Sequence, residues 1–466
     1  MTIAPPKIVV VGGGPVGMTV AHALTRAGID FVLLESRPSI AMAAGTSLVM
    51  SPIGLRALSQ FGLLPAIEKA GSPCPSVNDS TTKDDLLETP CSSPTSTRSD
   101  HGCASRVISR KNLMQILLDG LPAESQSKLL PNKKISGLLE TEDGVVVQCT
   151  DGTSYEGTMV IGADGAYSAV RKHMSAIDSQ QGTQEPADKE ELPYLTTYRC
   201  FWMRFRRLPG IEPGDMTESH GPQATTQYFA AEDTAVVAVY ERLPEPTRRP
   251  PRHYSEADEA AFVARWGHLP LNNNTKNDDD PEGGATALLT LGQAYAHATQ
   301  TGFINLEEGV VADWSRGGRA VLVGDAAHKF TPSTGAGCNN GIIDVVVLVN
   351  KLHKIFALAS AGGVVASRDD LAAAFREYQD ARFDTVTLGC GLSGRATANA
   401  SWAIPWAKFT DIWIFSSNIV MSLFLRWAAG KTASTPVFDF IEGEEKVVGK
   451  YPWVHAIPFP QAKKMV

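Results

Sequence analysis

The sequence predicts an α/β protein made of a βαβ-type domain, an inserted β-sheet domain and a C-terminal helical region. Three observations support this prediction. A glycine-rich βαβ pattern opens the chain, two further glycine-bearing strand–turn–helix patterns follow it, and a strand-rich block separates those two. A chain of 466 residues is long enough for two or three domains rather than one.

The first pattern occupies residues 8–35. Its parts are the strand Ile8–Val11, the glycines Gly12, Gly14 and Gly17, the helix Met18–Ala27, the strand Phe31–Leu34 and the acid Glu35. Gly12 permits a tight turn, Gly14 lets a pyrophosphate approach the backbone, and Gly17 lets the helix pack closely on the strand. The helix amino end attracts phosphate, and Glu35 is placed to accept hydrogen bonds from ribose hydroxyls. The pattern therefore predicts a dinucleotide-binding unit.

Composition and charge exclude several classes of function. The net charge is −8 and the pI is about 5.7, so we expect no global attraction to nucleic acid or to anionic lipid. The seven cysteines lack CxxC spacing and the amino end lacks the features of a signal peptide. We therefore expect reduced thiols in an intracellular protein, either cytoplasmic or peripherally membrane-associated. The acidic run at 278–280 has no second group of ligands, so no metal site is expected.

The strand-rich block predicts a separate sheet that roofs a pocket. Its runs are Tyr194–Met203, Ala224–Phe229 and Thr234–Tyr240. From these patterns we expect a discontinuous nucleotide-binding domain in residues 1–75, 104–185 and 305–395. The substrate domain would take residues 76–103 and 186–304, and residues 396–466 would form the C-terminal helical region.

One uncharged run, Ile412–Leu425, lies in the C-terminal region. It is shorter than the ~20 residues that a helix needs to span a bilayer. A packed helix is the favoured interpretation, and peripheral membrane contact through residues 404–426 is the alternative. A second GxGxxG, Gly389–Gly394, follows a helix-like segment and is not followed by a strand ending in an acid, so it predicts no second nucleotide fold.

The second and third patterns each join a short strand to a helix. In the second, Met159–Ile161 leads into Gly162-Ala-Asp164-Gly165 and a helix carrying Arg171, where Asp164 can cap the helix. The third comprises the strand Ala320–Val323, Gly324, Asp325, Pro332, Gly335, Gly337 and a helix starting near Asn339. Asp325 is placed to bind a ribityl or ribose hydroxyl. The amino end of that helix can stabilise negative charge on a reduced flavin.

These three motifs, in this order and at these separations, resemble those of the FAD-dependent aromatic hydroxylase superfamily, the single-component flavoprotein monooxygenases. The resemblance covers most of residues 7–395 and implies an FAD/NAD(P)-binding Rossmann-like domain of the aromatic hydroxylase type. Residues 194–247 are most similar to fungal secondary-metabolite members, which act in indole-diterpene, meroterpenoid and indole-alkaloid pathways.

The resemblance also implies a set of site residues. Those assigned to FAD are Gly12, Gly14, Gly17, Glu35, Arg37, Gly45, Arg110, Asp164, Asp325, Pro332, Gly335, Gly337 and Cys338. Arg110 matches an arginine at the start of a helix near the cofactor, although a surface cation beside Lys111 is the alternative. Cys338 is expected to contribute its backbone alone.

Two residues resemble catalytic ones of the salicylate-hydroxylase-like branch. Arg199 lies in Tyr-Arg-Cys where Tyr-Arg-Gly is usual, and Tyr228 lies in Gln-Tyr-Phe-Ala. A cation or phenol there would protonate a departing alkoxide. Either residue could instead be a contact on the surface of a strand. His328, in Gly-Asp-Ala-Ala-His-Lys, is expected to be structural and hydrogen-bonded.

The activity that the resemblance implies is an FAD-dependent monooxygenase that uses NADPH and O2. A flavin C4a-hydroperoxide would transfer one oxygen to a small hydrophobic substrate. Epoxidation of an alkene or of an indole C2–C3 bond is the leading reaction, and ring hydroxylation of a phenol is second. A flavoprotein oxidase or dehydrogenase and a nonenzymatic flavin-binding carrier remain as alternatives.

Overall fold

Two six-stranded sheets, one largely parallel and one antiparallel, organise the described part of the chain. The computed structural model describes residues 6–41, 47–74, 98–180, 193–208, 213, 216–248, 253–271, 289–415 and 417–459. Gly45 of the predicted cofactor set therefore lies outside the described residues, as do residues 75–97 of the predicted substrate domain.

The strands are β1 Lys7–Val11, β2 Asp30–Leu34, β3 Ser47–Met50, β4 Ser72–Pro73, β5 Arg106–Ser109, β6 Leu129–Leu130, β7 Ile135–Glu140, β8 Val145–Cys149, β9 Ser154–Gly157, β10 Met159–Gly162, β11 Leu195–Arg206, β12 Met216–His220, β13 Ala224–Ala230, β14 Thr234–Thr247, β15 Ala298–Val310, β16 Ser315–Arg316, β17 Ala320–Leu322 and β18 His328–Lys329. The helices are α1 Pro15–Ala27, α2 Pro52–Ser59, α3 Leu64–Ala70, α4 Arg98–His101, α5 Arg110–Asp119, α6 Ala123–Gln126, α7 Ala169–Gln180, α8 Glu256–Trp266, α9 Leu291–Tyr295, α10 Ala336–Gly362, α11 Arg368–Ala400, α12 Ala407–Phe409 and α13 Asn418–Ala433.

The parallel sheet has the strand order β16-β17-β10-β1-β2-β6, with β16 antiparallel to its neighbour. Val9 on β1 lies between Val160 on β10 and Val32 on β2, and all three are buried. Continuous buried runs of this kind are typical of a parallel sheet that is covered on both faces. The four strands that the sequence predicts here agree with β1, β2, β10 and β17 to within one residue.

The glycines of the first motif are fixed by close backbone contacts. Gly12 has φ of +104°, and a Cβ on it would lie 2.4 Å from the carbonyl oxygen of Ala163. A Cβ on Gly17 would lie 1.9 Å from the carbonyl oxygen of Gly12. Any side chain at either position would force backbone apart, so the predicted packing roles of both glycines are confirmed.

The antiparallel sheet has the order β12-β13-β14-β11-β15-β18. Strands β11, β13 and β14 begin within one residue of the three predicted runs, but β11 continues three residues and β14 seven residues past the predicted ends. Because side chains alternate along a strand, Phe201 and Phe205 point to one face and Cys200 and Trp202 to the other. The first face packs against α8 and α9 through Phe262 and Leu291 and forms a core of its own. The second face points towards the parallel-sheet domain.

The two sheets are joined by the buried carboxylate of Asp344 on α10. It accepts hydrogen bonds from the Gly324 N–H at 3.0 Å, from His328 Nε2 at 2.5 Å and from Arg382 Nε at 2.8 Å. Burial raises the pKa of Asp344, but the neighbouring His328 and Arg382 outweigh that effect and hold it at about 2. His328 therefore has the structural, hydrogen-bonded role that the sequence predicts.

The predicted domain limits need three corrections. Strand β15 continues past the expected limit at residue 304 and pairs with β18, because its antiparallel ladder extends to Val310. Residues 98–103 pack on the C-terminal segment instead of the substrate sheet: the His101 and Trp453 rings lie 5.2 Å apart. Helix α11 crosses the limit at 395 and contains Gly389–Gly394, so this second GxGxxG lies inside a helix and is not the turn of a nucleotide fold.

The C-terminal region is helical only as far as Ala433. Beyond it the chain forms no further described helix or strand, and it returns to the parallel-sheet core through Phe438, Ile441 and Val447. Gln60 fixes this return by donating to the Phe438 carbonyl oxygen at 2.9 Å and accepting from its N–H at 3.0 Å. The segment after Ala433 is therefore held in place by its buried apolar side chains and not by helix formation.

The packed-helix interpretation of Ile412–Leu425 is not what the structure shows. A π-helical turn, Thr410–Phe415, and α13 cover the run. Trp413 is 69% exposed and Ile419 is 75% exposed. Among the described helices, none is both long enough and apolar enough to cross a bilayer.

Replacing Asp344 with asparagine should lower the free energy of unfolding by about 3–5 kcal/mol, because Arg382 and the buried donors lose a charged partner. The control is Glu377→Gln, which removes the exposed α10–α11 pair between Lys351 and Glu377 and should cost less than about 1 kcal/mol. Urea denaturation of both variants measures the difference. If both variants lost the same free energy of unfolding, the buried carboxylate would stabilise the fold no more than an exposed ion pair does.

Candidate active site

A cavity of about 420 Å³ lies between the carboxyl edge of the parallel sheet and the antiparallel sheet. Ligands bind at this edge in open α/β sheets, since loops diverge there. One wall comes from the loops and helix ends of the parallel-sheet domain: Gly14, Pro15, Val16, Arg110, Ala163, Gly165, Val323, Asp325, Pro332, Gly335, Gly337 and Cys338. The opposite wall is the sheet face carrying Cys200, Trp202, Gln227, Phe229, Val236, Ala238, Tyr240 and Ile304.

The structure brings together most of the predicted cofactor residues. Those that line the cavity are Gly14, Arg110, Asp325, Pro332, Gly335, Gly337 and Cys338. Gly12 and Gly17 lie behind them and hold the first turn against the second motif. Their role is to shape the wall.

Helix α1 presents an anion site to the cavity. Its N-cap is Gly14, which offers no side chain to the free N–H groups, and a Cβ there would meet only Arg110 Nη2 at 3.7 Å. Within the described residues, no group accepts a hydrogen bond from the Arg110 guanidinium. Burial lowers the pKa of Arg110, but a guanidinium keeps its charge at neutral pH. Open space, free N–H groups and an unpaired cation fit a pyrophosphate.

Glu35 lies at the end of β2, next to the glycine-rich turn. It accepts from the Gly13 N–H at 2.6 Å and from Arg37 Nε at 2.9 Å. Burial raises the pKa of Glu35, but hydrogen bonds from Arg37 and Gly13 outweigh burial and leave that pKa below its ordinary value. The carboxylate is thus ionised, and Arg37 holds its orientation, while its contact with a ribose stays a prediction.

Asp164 caps helix α7, as the sequence predicts. Its carboxylate accepts from Ser168 Oγ at 2.6 Å and from the Ala169 N–H at 2.7 Å. The side chain is therefore engaged by the helix, and the cavity wall at this point is made by the flanking Ala163 and Gly165. The predicted cofactor contact of the Asp164 side chain is not supported by this geometry.

Arg171, on α7, joins the second and third motifs. Its guanidinium donates to the carbonyl oxygens of Ala166 at 2.5 Å and Ala326 at 2.6 Å. Tyr194 lies under the guanidinium, 5.0 Å from ring centre to Cζ, and donates to the Asp325 carbonyl oxygen at 3.0 Å. These contacts fix the backbone that presents Asp325 to the cavity.

Charged groups surround the amino end of α10. Its N-cap Gly335 has φ of +62° and no side-chain cap, so the helix N–H groups face the cavity. Asp325 accepts from Lys329 Nζ at 2.5 Å. Burial lowers the pKa of Lys329, but Asp325 and Glu307 outweigh it and raise that pKa. Burial raises the pKa of the Cys338 thiol to about 12, so this thiol is neutral at physiological pH, in agreement with its predicted backbone role.

The two predicted catalytic residues lie on the wrong face of the antiparallel sheet. Arg199 donates to Glu241 at 2.5 Å and lies 5.1 Å from the Phe303 ring, on the side covered by α8. Tyr228 is buried in the same core and stacks on Phe205. Because side chains alternate along a strand, both point away from the cavity. The geometry supports the alternative, in which both are contacts within the sheet.

Their neighbours in sequence reach the cavity instead. Cys200 and Trp202 follow Arg199 on β11, and Gln227 precedes Tyr228 on β13. Tyr240 donates to Gln227 Oε1 at 2.8 Å. The alternating apolar residues Phe201, Met203 and Phe205 could have shown from the sequence which face of β11 is covered. The cavity would then have been expected on the opposite face. Lys329 and Glu307 carried no such signal, because only the tertiary fold places them together.

A sequence profile described as FAD binding domain matches residues 6–191 and 224–363, which is more than half of the chain. The chain belongs to this FAD-binding family. The predicted fold class and the predicted FAD cofactor are confirmed by this match together with the relatives described next.

The flavoprotein is similar to FAD-dependent monooxygenases of fungi. It is 30% identical to verC1 of Penicillium polonicum over 386 residues, which cover 81% of this chain and 44% of that protein. It is 28% identical to DEP2 of Alternaria brassicicola over 455 residues, covering 94% of this chain and 80% of that one. The predicted enzyme class, an FAD-dependent monooxygenase, is confirmed, as is the resemblance to fungal members.

Solved structures share the fold. HpxO of Klebsiella pneumoniae, complexed with FAD and uric acid, has a TM-score of 0.64 at 19% identity, over 92% of this chain and 96% of that one. The tetracycline destructase Tet(51) has a TM-score of 0.60 at 17% identity, over 91% of this chain and 98% of that one. These likenesses extend across the parallel-sheet domain and beyond it.

Replacing Arg110 with methionine should weaken FAD binding by about 10- to 100-fold, because a charge-assisted contact to phosphate is lost. Lys111→Met is the matched control, since Lys111 is the adjacent, exposed cation on α5, and it should leave affinity unchanged. Titration of each apoprotein with FAD, followed by quenching of flavin fluorescence, measures the two dissociation constants. Equal constants would assign Arg110 to the surface-cation alternative.

Proposed function

We propose that this flavoprotein uses NADPH and O2 to insert one oxygen atom into a small hydrophobic secondary metabolite, of the kind made by fungal biosynthetic pathways. Epoxidation of an alkene or of an indole C2–C3 bond is the leading reaction, and hydroxylation of an aromatic ring is second. The observation that supports this proposal best is the apolar wall of Trp202, Phe229, Ala238 and Ile304, which faces the FAD-contacting glycines across one cavity.

When bound, FAD supplies the hydride acceptor and the activation of oxygen that this chemistry needs. The residues of the chain hold it in place. Arg110 and the amino end of α1 would bind the pyrophosphate, and Glu35 would accept from the ribose. The amino end of α10 would stabilise negative charge on a bound flavin, because the helix dipole is positive there.

The antiparallel sheet excludes water from the reacting region. Trp202 and Phe229 present aromatic surface to the cavity, and burial raises the pKa of the Cys200 thiol to about 12, so Cys200 is a neutral part of the same wall. An apolar substrate displaces water from such a wall at little cost. Exclusion of water matters here, since water would divert activated oxygen to hydrogen peroxide.

Gln227 fixes the spacing between the substrate wall and the cofactor loop. Its Nε2 donates to the carbonyl oxygen of Ser333, next to Pro332, at 2.8 Å. Its Oε1 accepts from Tyr240 at 2.8 Å. Both side chains line the cavity, so this chain of hydrogen bonds sets where a substrate ring or double bond lies relative to the cofactor.

Isotope labelling tests the proposed reaction. The FAD-loaded protein is supplied with NADPH, 18O2 and a panel of prenylated and indole-bearing metabolites. The masses of the products are then measured by mass spectrometry. One 18O atom in an epoxide or its rearrangement product is the expected result. Unlabelled product with stoichiometric hydrogen peroxide would identify an oxidase, and binding of the metabolites without oxygen consumption would identify a carrier. A labelled phenol would favour ring hydroxylation.

A pair of tyrosine variants tests which face of the sheet is used. Tyr240→Phe should lower kcat/KM for oxygenation about 5- to 10-fold, because Gln227 loses a hydrogen bond that positions it. Tyr228→Phe, an equally buried change on the covered face, should leave kcat/KM within about twofold. The initial rate of product formation at limiting substrate concentration gives kcat/KM for each variant. A large loss from Tyr228→Phe alone would restore the catalytic role that the sequence predicts.

A further inference from the structure

We propose that residues 404–415 and 417–427, called here the apolar patch, bind the surface of a bilayer that contains anionic lipid. The first observation is the exposure of large apolar side chains along the patch. Trp406 is 78% exposed, Trp413 69% and Ile419 75%. Single exposed apolar residues are ordinary on a protein surface, but a contiguous group of them marks an interaction site.

The shape of the patch favours a surface contact. On α13 the exposed residues Ile419, Leu423 and Trp427 recur at every fourth position and so form one stripe along the helix. Ala429 and Ala433 of the same helix are buried against the protein. A helix of this length extends roughly 24 Å, which is less than the ~30 Å of hydrocarbon that a spanning helix must cross. It can lie along an interface but not cross it.

The charge and the tryptophan content of the apolar patch indicate that its partner is an anionic bilayer surface. Four of the eight tryptophans of the chain lie in residues 402–427, and indole rings accumulate at the boundary between lipid and water. The exposed charged residues of the patch and its helix are Lys408, Arg426 and Lys431. The acid among them, Asp411, is buried. The patch is therefore basic on a protein whose net charge is −8, which fits anionic headgroups.

The protein holds the patch in a fixed orientation. Asp411 accepts from His220 Nδ1 at 2.8 Å and from Trp402 Nε1 at 3.0 Å, which ties the patch to β12. Burial lowers the pKa of His220, but hydrogen bonds to Asp411 and Glu218 outweigh it and raise the pKa to about 9. The imidazole is thus protonated at neutral pH and pairs with the inward-facing acid. The apolar side chains are left on the outside.

The patch begins beside the cavity. Ala403 and Trp202 both pack against the buried cluster that includes Cys200 and Tyr240, and Trp202, Cys200 and Tyr240 line the cavity. Ser401 Oγ and the Tyr198 hydroxyl are 2.9 Å apart on the same sheet face. Bilayer contact would thus bring a lipid-dissolved substrate next to the substrate wall. This last step rests on the proposed function, whereas binding to the bilayer does not.

A second copy of the chain is the competing occupant. In a twofold-symmetric dimer the same surface meets itself, so a patch whose exposed charges are all basic would face its own cations. Anionic lipid removes that repulsion and a second copy adds to it. The charge pattern therefore favours the bilayer.

The test is sedimentation of the FAD-loaded protein with vesicles of phosphatidylcholine, with and without phosphatidylserine. Wild-type protein should bind, and more tightly when phosphatidylserine is present. Trp406→Ser with Trp413→Ser should weaken binding to both vesicles by about tenfold or more, because two indoles no longer enter the interface. Lys408→Gln with Arg426→Gln should reduce the ratio of the two affinities, with and without phosphatidylserine, by about tenfold. The affinity for vesicles of phosphatidylcholine alone should not change.

The matched control is Leu358→Ser with Val365→Ser, which removes exposed apolar side chains far along the chain from the patch and should bind like wild type. Flavin absorbance and melting temperature confirm that each variant is folded. Wild-type protein that does not sediment with vesicles, or that forms a dimer dispersed by the tryptophan changes, would overturn the proposal. Because the assay needs no turnover, its failure is distinct from failure of the proposed reaction.

Discussion

The buried carboxylate of Asp344 is the interaction on which both walls of the cavity depend. It holds the turn at Gly324, where β17 of the parallel sheet ends, and His328 on β18 of the antiparallel sheet. Arg382 brings α11 to the same point. A charge in such surroundings is stable only when all its partners are present. The pKa of Asp344 is low because all three donors, from both sheets and from α11, are in place.

Two helix amino ends are open towards the cavity. Five of the described helices are capped by side chains of the chain itself, namely Ser109, Asp164, Ser255, Thr290 and Ser367. Helices α1 and α10 begin instead at Gly14 and Gly335, without a side-chain cap, and both face the cavity. Free N–H groups at the end of a helix need a partner, and in the proposed FAD site the pyrophosphate and the flavin ring would supply one at these two ends.

The antiparallel sheet serves two purposes through its alternating side chains. One face holds a core with α8 and α9, where Arg199 is paired with Glu241. The other face is the apolar wall of the cavity, and the C-terminal patch begins beside it at Ala403. A one-residue error in the assignment of a face exchanges the two roles completely. This is why resemblance in sequence identified the right strands but the wrong side chains.

The sequence by itself determined the nucleotide-binding half. Gly12, Gly14 and Gly17 follow from steric demands within a short segment, and the strands and helices around them have clear periodicity, so their positions and roles were predictable. Only the tertiary structure decided the substrate wall, the partners of Lys329 and the exposure of the C-terminal helix. Each of these depends on contacts between segments distant in sequence. The apolar alternation on β11 indicates which of its faces is covered, but no local pattern shows which segment covers it or what lies opposite its other face.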